Sequence, residues 1–259
     1  MNTLWSLPLS SFGGLAIKSA PGTHEAAMRL VSTHVGDKGV PVLDLAAGSG
    51  AFLSRLRQNG FDDLSAVELD LKTFGFRSVT PKSVDLNTDF SKSFDNHFGL
   101  VTAIEIIEHL DSPRHFLKQI WELLNPEGFL LVSTPNIAHW FGRLRFATHG
   151  EHRYFRERDY HHQRHISPIS DLHMRLMLKE IGFDLLERVT AGSFYGPLKR
   201  AVAAPVAAAA RLMFGSLSIG DVCVYVARKS RPDTESPGRS SSIYVNRHHK
   251  SGALSQPNH

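Results

Sequence analysis

A short apolar strand that runs directly into a glycine-rich turn constrains this chain more than any other feature. Residues 40–50 read VPVLDLAAGSG, so apolar residues give way to Gly48 and Gly50, and residues 51–59 then show helical spacing. Glycine lets the backbone approach a ligand closely, and the N-terminus of a helix presents free N–H groups to it. The segment is therefore typical of a cofactor-binding turn, although one such turn alone is weak evidence.

The rest of the chain alternates helical and extended patterns. This alternation predicts a Rossmann-like, doubly wound α/β fold with a mainly parallel, seven-stranded sheet and helices on both faces. Ligands of such sheets bind at the carboxyl ends of the strands. The strands are predicted at 40–45, 64–69, 82–86, 98–104, 129–133, 183–189 and 222–227, and the main helices at 23–35, 51–59, 113–124 and 170–181.

Composition shifts divide the chain into regions. We expect an N-terminal segment at 1–22, one domain at 23–229 and a Ser- and Pro-rich disordered tail at 230–259. Within the domain, 143–167 is rich in Arg and His without clear periodicity, which indicates a loop or broken helices that could serve as a lid. An Ala-rich segment at 197–214 predicts a helical insert.

Bulk composition excludes several classes of protein. Hydrophobic residues make up 42% and charged residues 21%, as in ordinary globular domains. The net charge of +4 is weak evidence for a nucleic-acid partner, which we do not expect. The single cysteine, Cys223, excludes an internal disulfide and fits a reducing compartment. With no recognisable signal peptide or spanning segment, we expect a cytoplasmic protein.

Two basic segments each allow two interpretations. The arginines at 143, 145, 153, 156, 158 and 164 form either a solvated surface or a lid that faces an anionic acceptor. The 197–214 segment either packs on the sheet or contacts the inner face of a membrane, with Lys199, Arg200 and Arg211 at the lipid headgroups.

The glycine turn and three further features of the sequence resemble one family. VLDLAAGSG lacks the G-x-G-x-x-G spacing of nicotinamide dehydrogenases and resembles the first motif of class I S-adenosyl-L-methionine (SAM)-dependent methyltransferases. Glu68 ends the second strand, Asp85 follows the third, and LLNPEGFLLVSTPN at 123–136 matches the family's later helix–turn–strand signature. One departure is Ala46, which stands where the family has its first glycine. We expect the turn to survive with a tighter pocket.

The resemblance implies a set of SAM-binding residues. Glu68 would hold the ribose hydroxyls of the cofactor, and Asp85 would reach the adenine amine. The complete predicted cofactor-binding set is Asp44, Ala46, Gly48, Gly50, Glu68, Leu69, Asp85 and Ile104.

The EIIEH motif at 105–109 predicts the site where the second substrate binds and reacts. If this segment forms one helical turn, Glu105, Glu108 and His109 share a face. The motif resembles that of ubiquinone-biosynthesis O-methyltransferases and of small-RNA 2′-O-methyltransferases. In those relatives, Glu-x-x-Glu-His and a later histidine can bind a divalent cation.

The later histidine has three candidates in this chain. His161, His162 and His165 all lie in one short segment, and the string HQRHIS resembles the family pattern H-x-R-x-F-T, which favours His162. Ile166 replaces the family aromatic, so the register stays open. The predicted metal ligands are therefore Glu105, Glu108, His109 and His162, for Mg²⁺, Mn²⁺ or Zn²⁺.

The catalytic residues predicted from this motif are His109 and Glu105. A cation on the acceptor hydroxyl would lower its pKa and prepare it for methylation. In the alternative without a metal, His109 is a base or hydrogen-bond donor, and Glu105 serves SAM. We expect O-methylation of a hydroxylated small molecule or of an envelope glycan or lipid precursor. An RNA 2′-O-methyltransferase and a non-catalytic SAM-binding scaffold are the alternatives.

Overall fold

A computed structural model of the protein describes residues 10–193 and 197–230. In chain order its strands are β1 (Ser11–Phe12), β2 (Leu15–Ala16), β3 (Val42–Leu45), β4 (Leu64–Val67), β5 (Phe98–Ala103), β6 (Leu124–Pro135), β7 (Phe183–Ala191) and β8 (Val222–Lys229). Its helices are α1 (Thr23–His34), α2 (Ala51–Gln58), α3 (Pro113–Leu123), α4 (Trp140–His149), α5 (Glu157–Gln163), α6 (Asp171–Ile181) and α7 (Pro197–Phe214).

The central sheet has six strands in the order β4-β3-β5-β6-β8-β7. Neighbours from β4 to β6 are parallel, whereas β8 is antiparallel to both β6 and β7. Helices cover both faces: α3 and α6 pack on one core cluster, and α1 and α2 on the other. The predicted Rossmann-like, mainly parallel α/β fold is confirmed.

The predicted count of seven strands is wrong for the described residues. Residues 82–86 form a single parallel bridge, from Lys82 to Val67 at the outer edge of β4. Asp85 then accepts hydrogen bonds from the backbone N–H of Asn87 at 2.9 Å and from the hydroxyl of Thr88 at 2.7 Å. Such a turn competes with strand pairing, so the extended segment stops after one bridge.

The helix boundaries follow from local signals in the sequence. The Ser112 side chain accepts a hydrogen bond from the N–H of His115, and Pro113 occupies the first helical position of α3. Gly182 ends α6 in the left-handed conformation, at φ 104°. The aperiodic 143–167 region contains broken helices, since most of α4 and all of α5 lie within it. In the part of the chain described here, no helix is both long and apolar enough to cross a bilayer.

The turn between β3 and α2 depends on left-handed backbone conformations. Ala46, Gly48 and Gly50 have φ values of 56°, 57° and 85°. A Cβ atom on Gly50 would lie 2.4 Å from the Cβ of Phe76, so no larger residue fits there without movement. Ala46 takes up a left-handed conformation, and the turn forms as expected, at the cost of strain in an L-residue.

The N-terminal hairpin packs against this turn. The Ser49 hydroxyl donates a 2.6 Å hydrogen bond to the carbonyl of Ala16, at the end of β2. The Arg55 guanidinium lies 4.0 Å from the centre of the Phe12 ring. The described part of the 1–22 segment therefore packs against the glycine turn.

Replacing Ala46 by glycine tests the strain in this turn. Ala46→Gly should raise the free energy of unfolding by about 1 kcal/mol, because glycine adopts a positive φ without the steric penalty of a Cβ atom. The measurement is urea denaturation, with Ala47→Gly as the matched control at a position without a positive φ. Equal effects of the two substitutions would contradict the account of the turn.

Candidate active site

A cavity of about 870 Å³ opens at the carboxyl ends of the parallel strands. Its floor is formed by residues at the ends of β3, β5 and β6, including Asp44, Ile104 and Pro135. Its roof is formed by the 154–165 segment, and residues 16–19 beside the hairpin close one side. The volume is within the range of sites that enclose cofactor-sized ligands.

Most of the predicted cofactor residues meet at one end of this cavity. Asp44, Ala46, Gly48, Glu68 and Ile104 all line it. Gly50 belongs to the turn but does not line the cavity, because it faces Phe74 and Phe76.

Besides Gly50, two members of the predicted cofactor set, Leu69 and Asp85, lie outside the cavity lining. Leu69 is 68% exposed beyond the end of β4. Asp85 is exposed and caps the turn that contains Asn87 and Thr88. Leu69 as a cofactor-binding residue and Asp85 as the residue that reaches the adenine amine remain predictions from the family resemblance.

Glu68 is oriented by the glycine turn. Its Oε2 accepts a 2.6 Å hydrogen bond from the backbone N–H of Gly48, and its Oε1 accepts one from Asp70 at 3.1 Å. A Cβ atom on Gly48 would find only the Cδ of Lys18, at 4.0 Å, so the space above the turn is open. The turn therefore presents both backbone and a fixed carboxylate to a ligand.

Asp44 is a buried carboxyl group below this turn. Its Oδ1 accepts a 2.6 Å hydrogen bond from the hydroxyl of Thr102. Burial raises its pKa to about 7, because the charged form loses its hydration and gains only one side-chain donor. A cationic ligand group beside Asp44 would favour ionisation.

The EIIEH segment does not form the predicted helical turn. Glu105 has a left-handed φ of 54°, and only Ile107–His109 forms a 3₁₀ turn. The backbone N–H of Glu105 donates to the Ser133 hydroxyl at 3.0 Å, and the Glu105 Oε1 accepts from that hydroxyl at 3.2 Å. The prediction that Glu105, Glu108 and His109 share one helical face is therefore wrong, because the backbone turns at Glu105 before the helical turn begins.

Glu108, His109 and His165 form a compact group, which we call the carboxylate–histidine cluster. One potential ligand atom from each residue lies within 4.8 Å of the others. His162 and Glu105 line the same cavity but do not belong to this group. The geometry brings in His165, one of the three histidines that the sequence left open, rather than the favoured His162.

Glu108 is fully buried, and neither of its carboxylate oxygens has a hydrogen-bond partner among the described residues. Burial, together with the nearby Glu105, raises the pKa of Glu108 well above its usual range. A buried carboxyl group without donors is costly unless a proton or a cation neutralises it.

Both histidines of the cluster favour the neutral form. Burial lowers the pKa of His109, with a further contribution from His165, and burial also lowers the pKa of His165. The Nδ1 of His165 lies 2.7 Å from the backbone carbonyl of Tyr154. A carbonyl only accepts hydrogen bonds, so Nδ1 carries the proton and Nε2 keeps its lone pair.

A buried group beside the cavity joins Arg153 to two residues that had no signal in the sequence, His139 and Asp221. Asp221 lines the cavity and pairs with Arg153 at 2.7 Å, and the His139 Nε2 lies 3.8 Å from the same Asp221 oxygen. All three side chains are buried. They come from distant parts of the chain, so no local motif could have grouped them.

Comparison with known proteins agrees with this architecture. A family model described as a methyltransferase domain matches residues 22–188. The mitochondrial ubiquinone biosynthesis O-methyltransferase of Bos taurus is 27% identical over 142 residues, which span 50% of this chain and 38% of that enzyme. The chain therefore covers well under half the length of that relative.

Solved structures share the fold at lower sequence identity. A SAM-dependent methyltransferase from Archaeoglobus fulgidus has a TM-score of 0.53 at 18% identity, covering 80% of this chain and 95% of that one. The N-methyltransferase NodS of Bradyrhizobium japonicum has a TM-score of 0.50 at 15% identity, with 80% of this chain and 94% of that one covered.

The family model covers more than half of the chain. The chain therefore belongs to the methyltransferase-domain family, and the predicted class I SAM-dependent methyltransferase resemblance is confirmed.

Asp44→Asn should change how stability depends on pH. As pH rises through about 4 to 7, wild-type Asp44 ionises in the unfolded chain before it does so in the fold, which lowers the free energy of unfolding. The variant lacks this loss, so its stability relative to wild type should increase by about 2–3 kcal/mol between pH 5 and pH 8. Urea denaturation at both pH values measures the difference. The same increase in the exposed control Asp184→Asn would contradict the buried-carboxyl explanation.

Proposed function

We propose that this protein is a SAM-dependent O-methyltransferase in which a divalent cation assists the acceptor hydroxyl. The observation that carries the proposal is the carboxylate–histidine cluster, which opens into the same cavity as the cofactor turn. The cofactor end and the acceptor end are thus continuous, as a direct methyl transfer requires.

The residues at the cofactor end fit SAM. Glu68 would accept hydrogen bonds from the ribose hydroxyls, as the family resemblance implies. On binding, the Glu68 carboxylate would either give up its hydrogen bond from the Gly48 N–H or accept hydrogen bonds from that N–H and from the ribose hydroxyls together. Asp44 would face the cationic methionine end of the cofactor, where its ionised form is favoured. SAM itself supplies an electrophilic methyl group on a sulfonium.

The donor set at the acceptor end fits a divalent cation. One carboxylate oxygen and two neutral imidazoles suit Zn²⁺ or Mn²⁺ better than Mg²⁺. Glu108 has two unpartnered oxygens, and His165 has a lone pair fixed by the Tyr154 carbonyl. A bound cation would lower the pKa of an acceptor hydroxyl and orient it.

The chain's own residues would then control the proton and the acceptor. Burial raises the pKa of Glu105 to about 7, and the negative charge of Asp221 adds to this shift. A carboxyl group with that pKa can accept a proton from the hydroxyl at neutral pH. His109 serves as a cation ligand in this proposal and as the base in its metal-free alternative.

The acceptor that we propose is a hydroxylated small molecule or an envelope glycan or lipid precursor. Among the lid arginines, Arg156 is bound bidentately to Asp159, and Arg145 pairs with Glu151. Arg158 lines the cavity with its side chain 73% exposed, and its ion pair with Asp159 is a longer one, at 3.7 Å from its Nε to the Asp159 Oδ1. It is the lid arginine best placed to meet an anionic acceptor.

The two alternatives fit the site less well. A non-catalytic SAM-binding scaffold has no use for a desolvated carboxyl group such as Glu108, which lowers stability. An RNA 2′-hydroxyl would suit the cluster chemically, so RNA belongs among the acceptors to be tested.

Removal of metal tests the proposal. Methyl transfer from SAM to a panel of catechols, phenols, hydroxylated glycan and lipid precursors and RNA should fall about 100-fold or more in EDTA, because a bound cation contributes several kcal/mol to such steps. Mn²⁺ or Zn²⁺ should restore activity to the wild type but not to Glu108→Gln. Full activity after complete metal removal would exclude the cation and leave the methyltransferase proposal intact.

We also propose that α4 and α7 contact an anionic membrane surface. Phe141, Leu144 and Phe146 on α4 are exposed, as are Leu212 and Met213 at the end of α7. The Arg143 guanidinium lies 5.1 Å from the Phe214 ring, which links the two helices. Neither helix contains an acidic residue, whereas both contain arginine, a combination that favours anionic lipid headgroups.

Charge insertion into this surface tests membrane contact. Leu212→Glu with Met213→Glu should abolish sedimentation with phosphatidylglycerol vesicles, because the two new charges oppose both burial and electrostatic attraction. The matched control is Leu172→Glu with Leu176→Glu, which changes two leucines of α6 that are 53% and 54% exposed. Equal vesicle binding by both double variants would refute the proposed surface.

A further inference from the structure

A buried ion pair ties the lid to the sheet. The Arg153 Nη1 donates a 2.7 Å hydrogen bond to the Asp221 Oδ1, and it also lies 3.3 Å from the His139 Nδ1. The exposed fractions of Arg153 and Asp221 are 8% and 1%. Such a charge pair holds its two chain segments together, since separating them would strand a charge away from water.

The Asp221 side of this pair is fixed by the sheet. Its backbone N–H donates to the carbonyl of Gly192 at 3.2 Å, and its carbonyl accepts from the N–H of Asn136 at 2.8 Å. Val222, the next residue, begins β8. Asp221 is therefore a rigid anchor at the edge of the cavity.

Arg153 is followed in the chain by a residue with a strained backbone, Tyr154. The Arg153 guanidinium lies 4.5 Å from the centre of the Tyr154 ring, and Tyr154 has a φ of 73°. A left-handed conformation in a bulky residue persists only where its surroundings enforce it. The anchored arginine packs on the Tyr154 ring and so constrains this conformation.

The strained Tyr154 presents its carbonyl to the cluster. That carbonyl accepts the hydrogen bond from the His165 Nδ1 at 2.7 Å. The bond selects the tautomer whose Nε2 lone pair is free. The His165 and His109 rings meet edge to face, with their centroids 4.8 Å apart. The orientation of His165 thus depends on the path of the backbone at residues 153 and 154.

We propose that Arg153 is a positioning residue: its ion pair with Asp221 holds the Tyr154 carbonyl in place and so fixes the tautomer and direction of His165. The role of the aligned ring as a cation ligand rests on the function proposed above. The alignment of the His165 ring does not rest on that function, because it follows from contacts within this chain alone. Arg153, which the sequence suggested as a contact for an anionic acceptor, acts instead through the cluster.

Nitrogen-15 NMR of the imidazole groups tests this role without relying on activity. In wild-type protein bound to S-adenosylhomocysteine, His165 should be the Nδ1–H tautomer. Arg153→Met, which keeps the aliphatic volume but removes the charge, should give a mixture of tautomers. Arg153→Lys should largely restore the wild-type signal, because lysine can still pair with Asp221. The matched control is Arg145→Met, which removes the lid arginine that pairs with Glu151.

Cobalt titration provides the second measurement on the same proteins. Arg153→Met should weaken Co²⁺ binding about 10-fold or more, as loss of a residue behind a metal ligand commonly does, with affinity for S-adenosylhomocysteine unchanged. Absence of Co²⁺ binding in wild type, with the tautomer change still seen, would refute the cation and support the positioning role. An unchanged tautomer in Arg153→Met would overturn the positioning role.

A second variant covers the case in which Arg153→Met does not fold. Asp221→Asn keeps the size of the anchor and removes its charge, so it should produce the same loss of the His165 tautomer. If both variants lose S-adenosylhomocysteine binding together with their circular dichroism signal, the ion pair serves only the stability of the fold, and the positioning role is overturned.

Discussion

The fully buried carboxyl group of Glu108 is the constraint around which the site is organised. Its two oxygens have no hydrogen-bond partner among the described residues, and the nearby acidic Glu105 raises its pKa further. Such a group must hold a proton or meet a cation. The two neutral imidazoles beside it offer lone pairs rather than positive charge, which favours the proposed metal ion over an internal ion pair.

Backbone strain is concentrated at this cavity. Among the described residues, five that are not glycine have a positive φ, and three of them, Ala46, Glu105 and Tyr154, line the cavity. Each redirects the chain where a ligand would bind: at the cofactor turn, at the start of the acidic motif and at the lid. Strain of this kind is maintained by surrounding contacts, here by the glycine turn, by Ser133 and by the Arg153–Asp221 pair.

Much of the fold was predictable because its signals are local. Ser112 and Pro113 mark the start of α3, Gly182 marks the end of α6, and the glycine turn marks the cofactor end of the sheet. The prediction of a strand at 82–86 was wrong. The apolar residues of this segment give no information about the turn at Asp85, which ends the pairing with β4 after one bridge.

The acceptor end was only partly predictable, because its geometry depends on distant contacts. Helical spacing was assumed for EIIEH, yet the left-handed Glu105 breaks it through hydrogen bonds to Ser133 on β6. The sequence favoured His162, whereas a carbonyl eleven positions before His165 brings that residue into the cluster. The ion pair between Arg153 and Asp221 joins residues 68 positions apart and leaves no motif.

The most direct test of the account is anomalous X-ray diffraction from crystals grown with S-adenosylhomocysteine and Zn²⁺ and measured at the zinc edge. The account predicts one strong peak per chain, about 2.0–2.2 Å from a Glu108 oxygen and from one nitrogen each of His109 and His165. A map with no peak in the cavity, while Glu108 stays buried and unpartnered, would contradict it.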